Sequence, residues 1–407
     1  MKMSNEIKAG TPGALSNVRI LDVTRVLAGP VCTMILADMG AEVIKIERPG
    51  KGDDTRDYSP FQNGESMIYA NINRSKKGVT LNLKSPEGKE LFLKMVKDAD
   101  VVVENFRPGV MDKLGLGYDV LKEINPRIIY TAISGFGSYG KYSDRPGYDM
   151  IAQAMSGIMD VTGWPETGPS RIGYSIGDMM GGINGALGTL AALNARYVTG
   201  VGQRVDVALV DGIIFTSENT VERYLSTGQL AGRRGTRAHT VYPYDAFDAK
   251  DGRFLLCCAN QKLWEIFCTK CLKQEELLTD ERFVSNTTRD QHWQELRPIV
   301  QEWAKNYTIE EAVDTVLSVG VPAAPIYNIG DILNDSHFTE DRKMFVKVHD
   351  EKRGDMTLLG DAVKLMGTPN GIRWTAPDLG QDNEEIYMGV FGISKEEFDH
   401  MKETGVI

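Results

Sequence analysis

Apolar residues in the first half of the chain fall into short continuous runs separated by stretches of helical period. Val18-Arg19-Ile20-Leu21-Asp22-Val23 reads as a buried strand, and residues 30–39 as the helix that follows it. Gly40 stops that helix before a second strand, Glu42-Val43-Ile44-Lys45-Ile46-Glu47. Val79-Thr80-Leu81-Asn82-Leu83 alternates as a strand. Ser85-Pro86-Glu87 opens a helix to Lys97, with the serine at the cap and the proline in the first turn. Residues 101–103 and 128–133 are further apolar runs, with short helices expected between Val110 and Ile124. A small-residue helix over 182–197, a strand over 204–209 and a helix over 211–227 complete this half. Strand, helix, strand at this spacing predicts a Rossmann-like parallel sheet with helices on its faces.

The character changes at 228–240, a loop rich in Gly and Arg, and a domain boundary is expected just before it. A strand over 254–258 and helical patterns over 263–272, 291–303 and 309–319 predict a smaller α+β unit, closed by Gly320-Val321-Pro322-Ala323-Ala324-Pro325. The tail carries a strand at 356–359 and helical stretches at 383–390 and 394–404. The expected division is a large α/β domain over 1–227, a small domain over 228–330 and a return to the large domain over 331–407. A length of 407 residues agrees with more than one domain.

Composition narrows the partners. The formal net charge of -10 argues against nucleic acid, whose backbone needs an extended basic surface, but leaves room for a small polyanion at a local cationic cluster. Five cysteines, an odd number, suit a reducing compartment. Residues 1–17 are polar without an apolar signal region, and no apolar run of about 18 residues occurs, so a cytoplasmic protein without a membrane partner is expected.

Several motifs are decoys. Gly135-Phe136-Gly137-Ser138-Tyr139-Gly140 matches the dinucleotide fingerprint but follows a later strand and leads into Lys141-Tyr142-Ser143-Asp144-Arg145, which reads as loop instead of helix. Cys268-Thr269-Lys270-Cys271 lacks a second cysteine pair, and its helical face with Trp264 and Phe267 reads as core. The histidines are scattered, so no metal is expected. Gly173-Tyr174-Ser175-Ile176-Gly177 matches the nucleophile elbow, yet a turn-like stretch and not an apolar strand precedes Ser175.

Three residues past that serine lies Asp178, in Ile176-Gly177-Asp178-Met179-Met180-Gly181-Gly182. Glycines on both sides let the backbone turn tightly and approach a ligand. A plain N-cap of the following helix explains the same residue, and a nucleophilic carboxylate is the sharper alternative. Cations gather in loops beside the strands: Lys45, Arg48 and Lys51; Asn73-Arg74-Ser75-Lys76-Lys77; Asn105-Phe106-Arg107-Pro108-Gly109 and then Lys113. On a parallel sheet the loops beyond the strands' carboxyl ends face the ligand crevice, so such a set suits a phosphate-bearing cofactor. A solvated surface is the competing explanation.

Taken in order, these strings resemble the class III CoA-transferase family, of formyl-CoA, carnitine and succinyl-CoA–dicarboxylate CoA-transferase type. The matching strings are Leu21-Asp22-Val23-Thr24-Arg25-Val26-Leu27-Ala28-Gly29-Pro30, Gly40-Ala41-Glu42-Val43-Ile44-Lys45-Ile46-Glu47-Arg48-Pro49-Gly50, Val103-Glu104-Asn105-Phe106-Arg107-Pro108-Gly109, Pro146-Gly147-Tyr148-Asp149 and Gly177-Asp178. The resemblance implies that Asp178 attacks an acyl-CoA thioester to give a mixed anhydride and then an aspartyl-CoA thioester, which the acceptor carboxylate attacks. It implies a coenzyme A site at Arg25, Val26, Arg48, Lys76, Asn105, Phe106 and Lys113, with Gly181 and Gly182 as backbone donors to the oxyanions. Leu27 stands where the family often carries Gln, and the glycine-rich flap of formyl-CoA transferase has no counterpart in 228–262. The family also implies an interlocked homodimer.

An α-methylacyl-CoA racemase, within the same superfamily, would place a histidine at Tyr148 as its second acid–base group; tyrosine is too weak a base near neutral pH. A non-catalytic CoA-binding protein fits the cationic loops but leaves Asp178 without a use. For the acceptor, Arg233, Arg237 and His239 in the Gly/Arg-rich loop could meet a second carboxylate, which points to a small dicarboxylic acid. A solvated linker accounts for these arginines too.

Overall fold

The computed structural model describes residues 12–407, so residues 1–11 of the polar N-terminal stretch lie outside it. The chain forms two compact units. The first runs as far as Ile158 and then takes Arg171–Ser217 and Asp335–Ile407; the second takes Met159–Ser170 and Glu218–Asn334.

Six strands form the sheet of the first unit: β1 (Arg19–Asp22), β2 (Glu42–Glu47), β3 (Lys76–Thr80), β4 (Val101–Glu104), β5 (Ile129–Ser134) and β6 (Arg204–Ala208). All pairings are parallel and the order is β3-β2-β1-β4-β5-β6. Side chains alternate between two cores, as the pleat requires. Leu21, Ile44 and Val102 face one core, together with Phe92 and Met95 of α2 (Pro86–Lys97). Ile20, Val43 and Val101 face the other, with α1 (Ala28–Asp38) and α4 (Ile176–Thr199). Between α2 and α4 the chain also forms α3 (Asp149–Met155), and α5 (Leu209–Phe215) follows β6. Ser85 caps α2 through the Gly88 N–H at 3.0 Å, as its sequence predicts.

The third strand starts at Lys76, ahead of the apolar run at 79–83. A lysine can open a core strand here because its ammonium lies 3.0 Å from the Asp22 carboxylate, with both side chains sealed from solvent. The outer edge of β3 is covered by the C-terminal segment. Asp382 accepts the Gly78 N–H at 2.6 Å and Asn383 the Thr80 N–H at 2.8 Å, which leaves these ladder donors unavailable to another chain.

The helix over 182–197 extends back to Ile176, and its glycines serve packing. A Cβ on Gly182 would lie 2.6 Å from Val31 Cγ1 and 2.9 Å from the Ala28 carbonyl oxygen, in α1. Because one obstacle is backbone, Gly182→Ala should destabilise the protein by about 1–3 kcal/mol. A melting temperature equal to that of the wild type would show that α1 can retreat without cost.

The helical stretch at 211–227 is broken: α5 ends at Phe215, Glu218 takes φ 44°, and a separate helix runs over Asn219–Thr227. The second unit has three antiparallel strands, β7 (Tyr244–Asp248), β8 (Arg253–Cys257) and β9 (Ala323–Pro325), in the order β9-β8-β7. Phe247, Phe254, Trp264 and Phe267 fill its core with Cys268 and Cys271, so the lone C-x-x-C belongs to packing. Among the described residues no helix is long and apolar enough to cross a membrane.

Candidate active site

The strand order reverses between β1 and β4, and on a doubly wound sheet the ligand crevice opens at that point. A pocket lies there, lined by the loops after β1, β4 and β5 and by Asp178.

The loop after β1 is held almost atom by atom. Asp22 accepts the Thr24 N–H at 2.9 Å and its hydroxyl at 2.5 Å, which turns the chain out of the sheet. Asn105, from the loop after β4, accepts the Arg25 N–H at 2.8 Å and donates to the Arg25 carbonyl at 2.7 Å. Val26 takes φ 66°, a conformation that a β-branched residue adopts only under constraint. Next come Leu27 and Ala28, which line the pocket at the start of α1. Peptide N–H groups at a helix start have no acceptor in its ladder and form an electropositive end.

After β4, the buried Glu104 carboxylate accepts the Phe106 N–H at 2.8 Å and so shapes the Asn105–Phe106 turn. Burial raises its pKa to about 7, despite that bond and one from Tyr130. After β5, Gly135 and Gly147 meet so closely that a Cβ on Gly135 would lie 2.6 Å from the Gly147 Cα. This contact brings Arg145 and the exposed Tyr148 to the pocket. Arg145 stacks on the Tyr142 ring at 4.0 Å.

Asp178 sits in the first turn of α4, past the cap position, which Ser175 occupies without a side-chain bond. Asp149 holds the helix start by accepting the Gly177 N–H at 2.7 Å. Burial, then the charge of Asp149, pushes the Asp178 carboxyl up to about 7. The N-terminal dipole of α4 pulls the other way. Such a group changes between acid and nucleophile near neutral pH. Ser175 is not in the pocket lining, and no strand precedes it, so the elbow geometry is absent.

Of the residues expected to hold CoA, the pocket gathers Arg25, Val26, Asn105 and Phe106. The Arg25 guanidinium lies over the Phe106 ring at 5.8 Å and 3.4 Å from Asp54, half exposed. So exposed a pair is weak and can yield to a phosphate. Arg48, exposed at the end of β2, and Lys113, exposed on the short helix Val110–Leu114, lie outside the lining. Lys76 lies wholly in the interior, bonded to Asp22, the Pro30 carbonyl and Asn73. Burial lowers its pKa to about 8. Its contacts are therefore with Asp22, Pro30 and Asn73 in the interior, and it stands apart from the pocket lining where a CoA contact was expected. Gly181 and Gly182 also differ from expectation: they lie inside α4, where their N–H groups belong to the helix ladder.

Arg233, Arg237 and His239 lie in the second unit, where acids of that unit meet the arginines. Arg233 pairs with Asp160 at 3.2 Å and Arg237 with Asp290 at 2.6 Å. Burial and the nearby Arg234, Arg223 and Arg237 hold His239 below its ordinary pKa. Arg107 lines the pocket as its cationic loop suggested, whereas Arg145, Ile133, Ser134 and Leu209 were not expected there. Arg145 carried a usable signal, since it lies in a loop that follows a strand; nothing local marks Leu209. Among the described residues no group of three or more His, Cys, Asp or Glu gathers as a metal site would.

Comparison with known proteins gives the family. Residues 15–383 match the family model of CoA-transferase family III. The succinyl-CoA–D-citramalate CoA-transferase of Chloroflexus aurantiacus is 37% identical over 97% of this chain and 98% of its own length. The acetyl-CoA:oxalate CoA-transferase of Acetobacter aceti is 38% identical over 90% of this chain and 92% of its own. A crystal structure of a CAIB/BAIF family protein from Brucella suis superposes with a TM-score of 0.80 at 33% identity, covering 93% of this chain and 99% of that one. These matches over nearly the whole length, on a Rossmann-ordered sheet with a half-buried carboxyl at its switch point, show that the chain belongs to CoA-transferase family III, as an enzyme of that class.

Proposed function

We propose that the enzyme moves CoA from an acyl-CoA donor to a small dicarboxylic acid through covalent intermediates on Asp178. The observation that carries this reading is the carboxyl of Asp178 in one pocket with Arg25, Val26, Asn105 and Phe106. An Asp178 oxygen attacks the thioester carbon, the C–S bond breaks, and CoA thiolate leaves behind an acyl-aspartyl anhydride. The thiolate attacks the aspartyl carbonyl and releases the donor acid as its carboxylate. The acceptor carboxylate then attacks the aspartyl-CoA thioester, giving a second anhydride. Thiolate takes the acceptor's acyl group and frees Asp178. Each step exchanges carboxylate and thiolate, so no net proton is needed. The unsatisfied N–H groups at the start of α1, beside Leu27 and Ala28, suit the developing oxyanions.

Two matched relatives are named for dicarboxylic acceptors, D-citramalate and oxalate. A second carboxylate needs a cation whose charge is not already met. Arg107 and Arg145 line the pocket, whereas Arg233 and Arg237 are paired with Asp160 and Asp290. Homodimer formation is part of the proposal, supported by the apolar side chains that α4 and α5 leave exposed: Ile183, Leu187, Val198, Ile214 and Phe215. Five unpaired cysteines support work in the cytoplasm.

A panel of mono- and dicarboxylic acids assayed against acetyl-, succinyl- and formyl-CoA tests this reading. Dicarboxylates should be preferred, and Arg145→Ala should raise their KM roughly tenfold while leaving monocarboxylates unaffected. Equal rates for the two acid classes would remove the second-carboxylate reading. Deuterium entering the α-carbon of an acyl-CoA with no acceptor present would favour racemisation instead.

A further inference from the structure

Arg25 is flanked by two peptide groups, and side chains bind all four of their polar atoms. In the first peptide, Lys45 Nζ donates to the Thr24 carbonyl at 3.0 Å and Asn105 accepts the Arg25 N–H at 2.8 Å. In the second, Asn105 donates to the Arg25 carbonyl at 2.7 Å and Asp53 accepts the Val26 N–H at 3.1 Å. Lys45 and Asp53 are themselves paired at 2.9 Å, with side chains essentially sealed from solvent. The Asp53 peptide N–H is anchored in turn on Glu47 at 2.8 Å, and Arg56 holds Glu47 at 2.7 Å. Burial pushes the Asp53 carboxyl up, but Lys45 and the Thr55 hydrogen bonds outweigh it and bring it to about 2.

A buried ion pair is by itself weak evidence for stability, because desolvation cancels much of its attraction. This pair has a second effect, since the loop it grips contains Val26 at φ 66° and leads straight into Leu27 and Ala28. A valine stays in that conformation only where its surroundings over-determine it. Lys45 and Asp53 do not line the pocket, so any effect on turnover must pass through the loop.

We propose that Lys45 and Asp53 are positioning residues for CoA transfer, clamping the peptide groups on either side of Arg25 so that Val26 and the first residues of α1 are held in place beside Asp178. The turnover arm of this inference rests on the Asp178 reading given above.

Asp53→Ala, Asp53→Asn and the double variant Asp53→Ala with Val26→Gly test it. Each would be measured for kcat and KM, for thermal unfolding, and for hydrogen exchange over residues 24–28. A loop displaced by about 1 Å should cost Asp53→Ala roughly a hundredfold in kcat, with KM for acyl-CoA changed less. Exchange at 24–28 should quicken in the same variant. Glycine at 26 adopts positive φ without being held there, so the double variant should recover roughly tenfold. Asp53→Asn keeps the size of the side chain but has one acceptor oxygen for two sides, and should lose about tenfold. It decides the matter if the alanine variant fails to fold. Wild-type kcat with unchanged exchange at 24–28 in a folded Asp53 variant would overturn the proposal. So would a loss of activity that only follows the loss of folded protein, with no recovery from Val26→Gly. Hydrogen exchange needs no turnover, so the clamp is tested even if the wild type transfers no CoA.

Discussion

Asp178→Ala should lower kcat/KM for CoA transfer by a factor on the order of 10⁴ or more, while Asp178→Asn should melt at a higher temperature than the wild type at pH 8. The first effect follows from the covalent chemistry proposed above: without the carboxylate neither the anhydride nor the enzyme thioester can form. The second follows from the environment that makes the group reactive. Burial and the Asp149 charge raise the Asp178 carboxyl to about 7, above its ordinary value. The unfolded chain releases that proton at lower pH than the folded one. Stability associated with this group is therefore full below the ordinary aspartate range, and is lost as pH rises through about 7. Asparagine does not titrate, so its advantage should be about 2 kcal/mol at pH 8 and absent near pH 4. Wild-type turnover should rise through the same window as the nucleophile ionises. Retained turnover in Asp178→Ala would sink the mechanism, and a melting difference independent of pH would contradict the raised pKa.

Asp22→Ala should cost about 3 kcal/mol of stability at pH 7, without removing any group from the pocket lining. The Asp22 carboxylate accepts from Lys76 at 3.0 Å, from the Thr24 N–H at 2.9 Å and from the hydroxyls of Thr24 and Thr33 at 2.5 and 2.6 Å. Removing it leaves three donor groups in the interior without that acceptor and an ammonium with no counter-charge at its side. Lys76 can escape part of this penalty. Burial already holds it down at about 8, below the ordinary lysine value, so the folded state binds fewer protons than the unfolded state above that point. Stability contributed by this depressed base thus rises with pH from about 8 toward the ordinary lysine value. Without Asp22 the folded value falls further and the amine is neutral at pH 7. The gap between variant and wild type should narrow from pH 7 to pH 9, as Lys76 of the wild type loses the charge that the variant's amine has already lost. Urea unfolding at the two pH values measures this. A gap below about 1 kcal/mol at both would show that the pair adds nothing to the fold. Asp22→Leu combined with Lys76→Met should recover most of the loss, because an apolar pair leaves no charge to solvate.

Smaller differences between expectation and structure share one cause. Gly181 and Gly182 stand three and four residues from Asp178, so a local reading assigns them to its chemistry. Their lack of side chains is explained instead by packing: Val31 and Ala28 of α1 crowd Gly182, and Leu209 of α5 crowds Gly181. Arg233 and Arg237 lie in a loop that reads as an unpaired positive patch, yet Asp160 and Asp290 meet them from distant positions in the chain.

The order of residues alone was enough for the alternation of strands and helices and for the placement of Arg25 and Asn105 just after buried strands. These are local properties, written in hydrophobic period, glycine placement and turn residues. Tertiary structure alone decided that the strand order reverses between β1 and β4, which brings Arg25 and Asn105 into a reciprocal pair of hydrogen bonds. It also decided that Lys76 and Lys45 lie in the interior while Arg25 reaches the pocket, although all three are cations in or just after a strand. A charged side chain carries no mark along the chain of whether its partner is water, a ligand or a buried carboxylate. That is set by which distant segment packs against it.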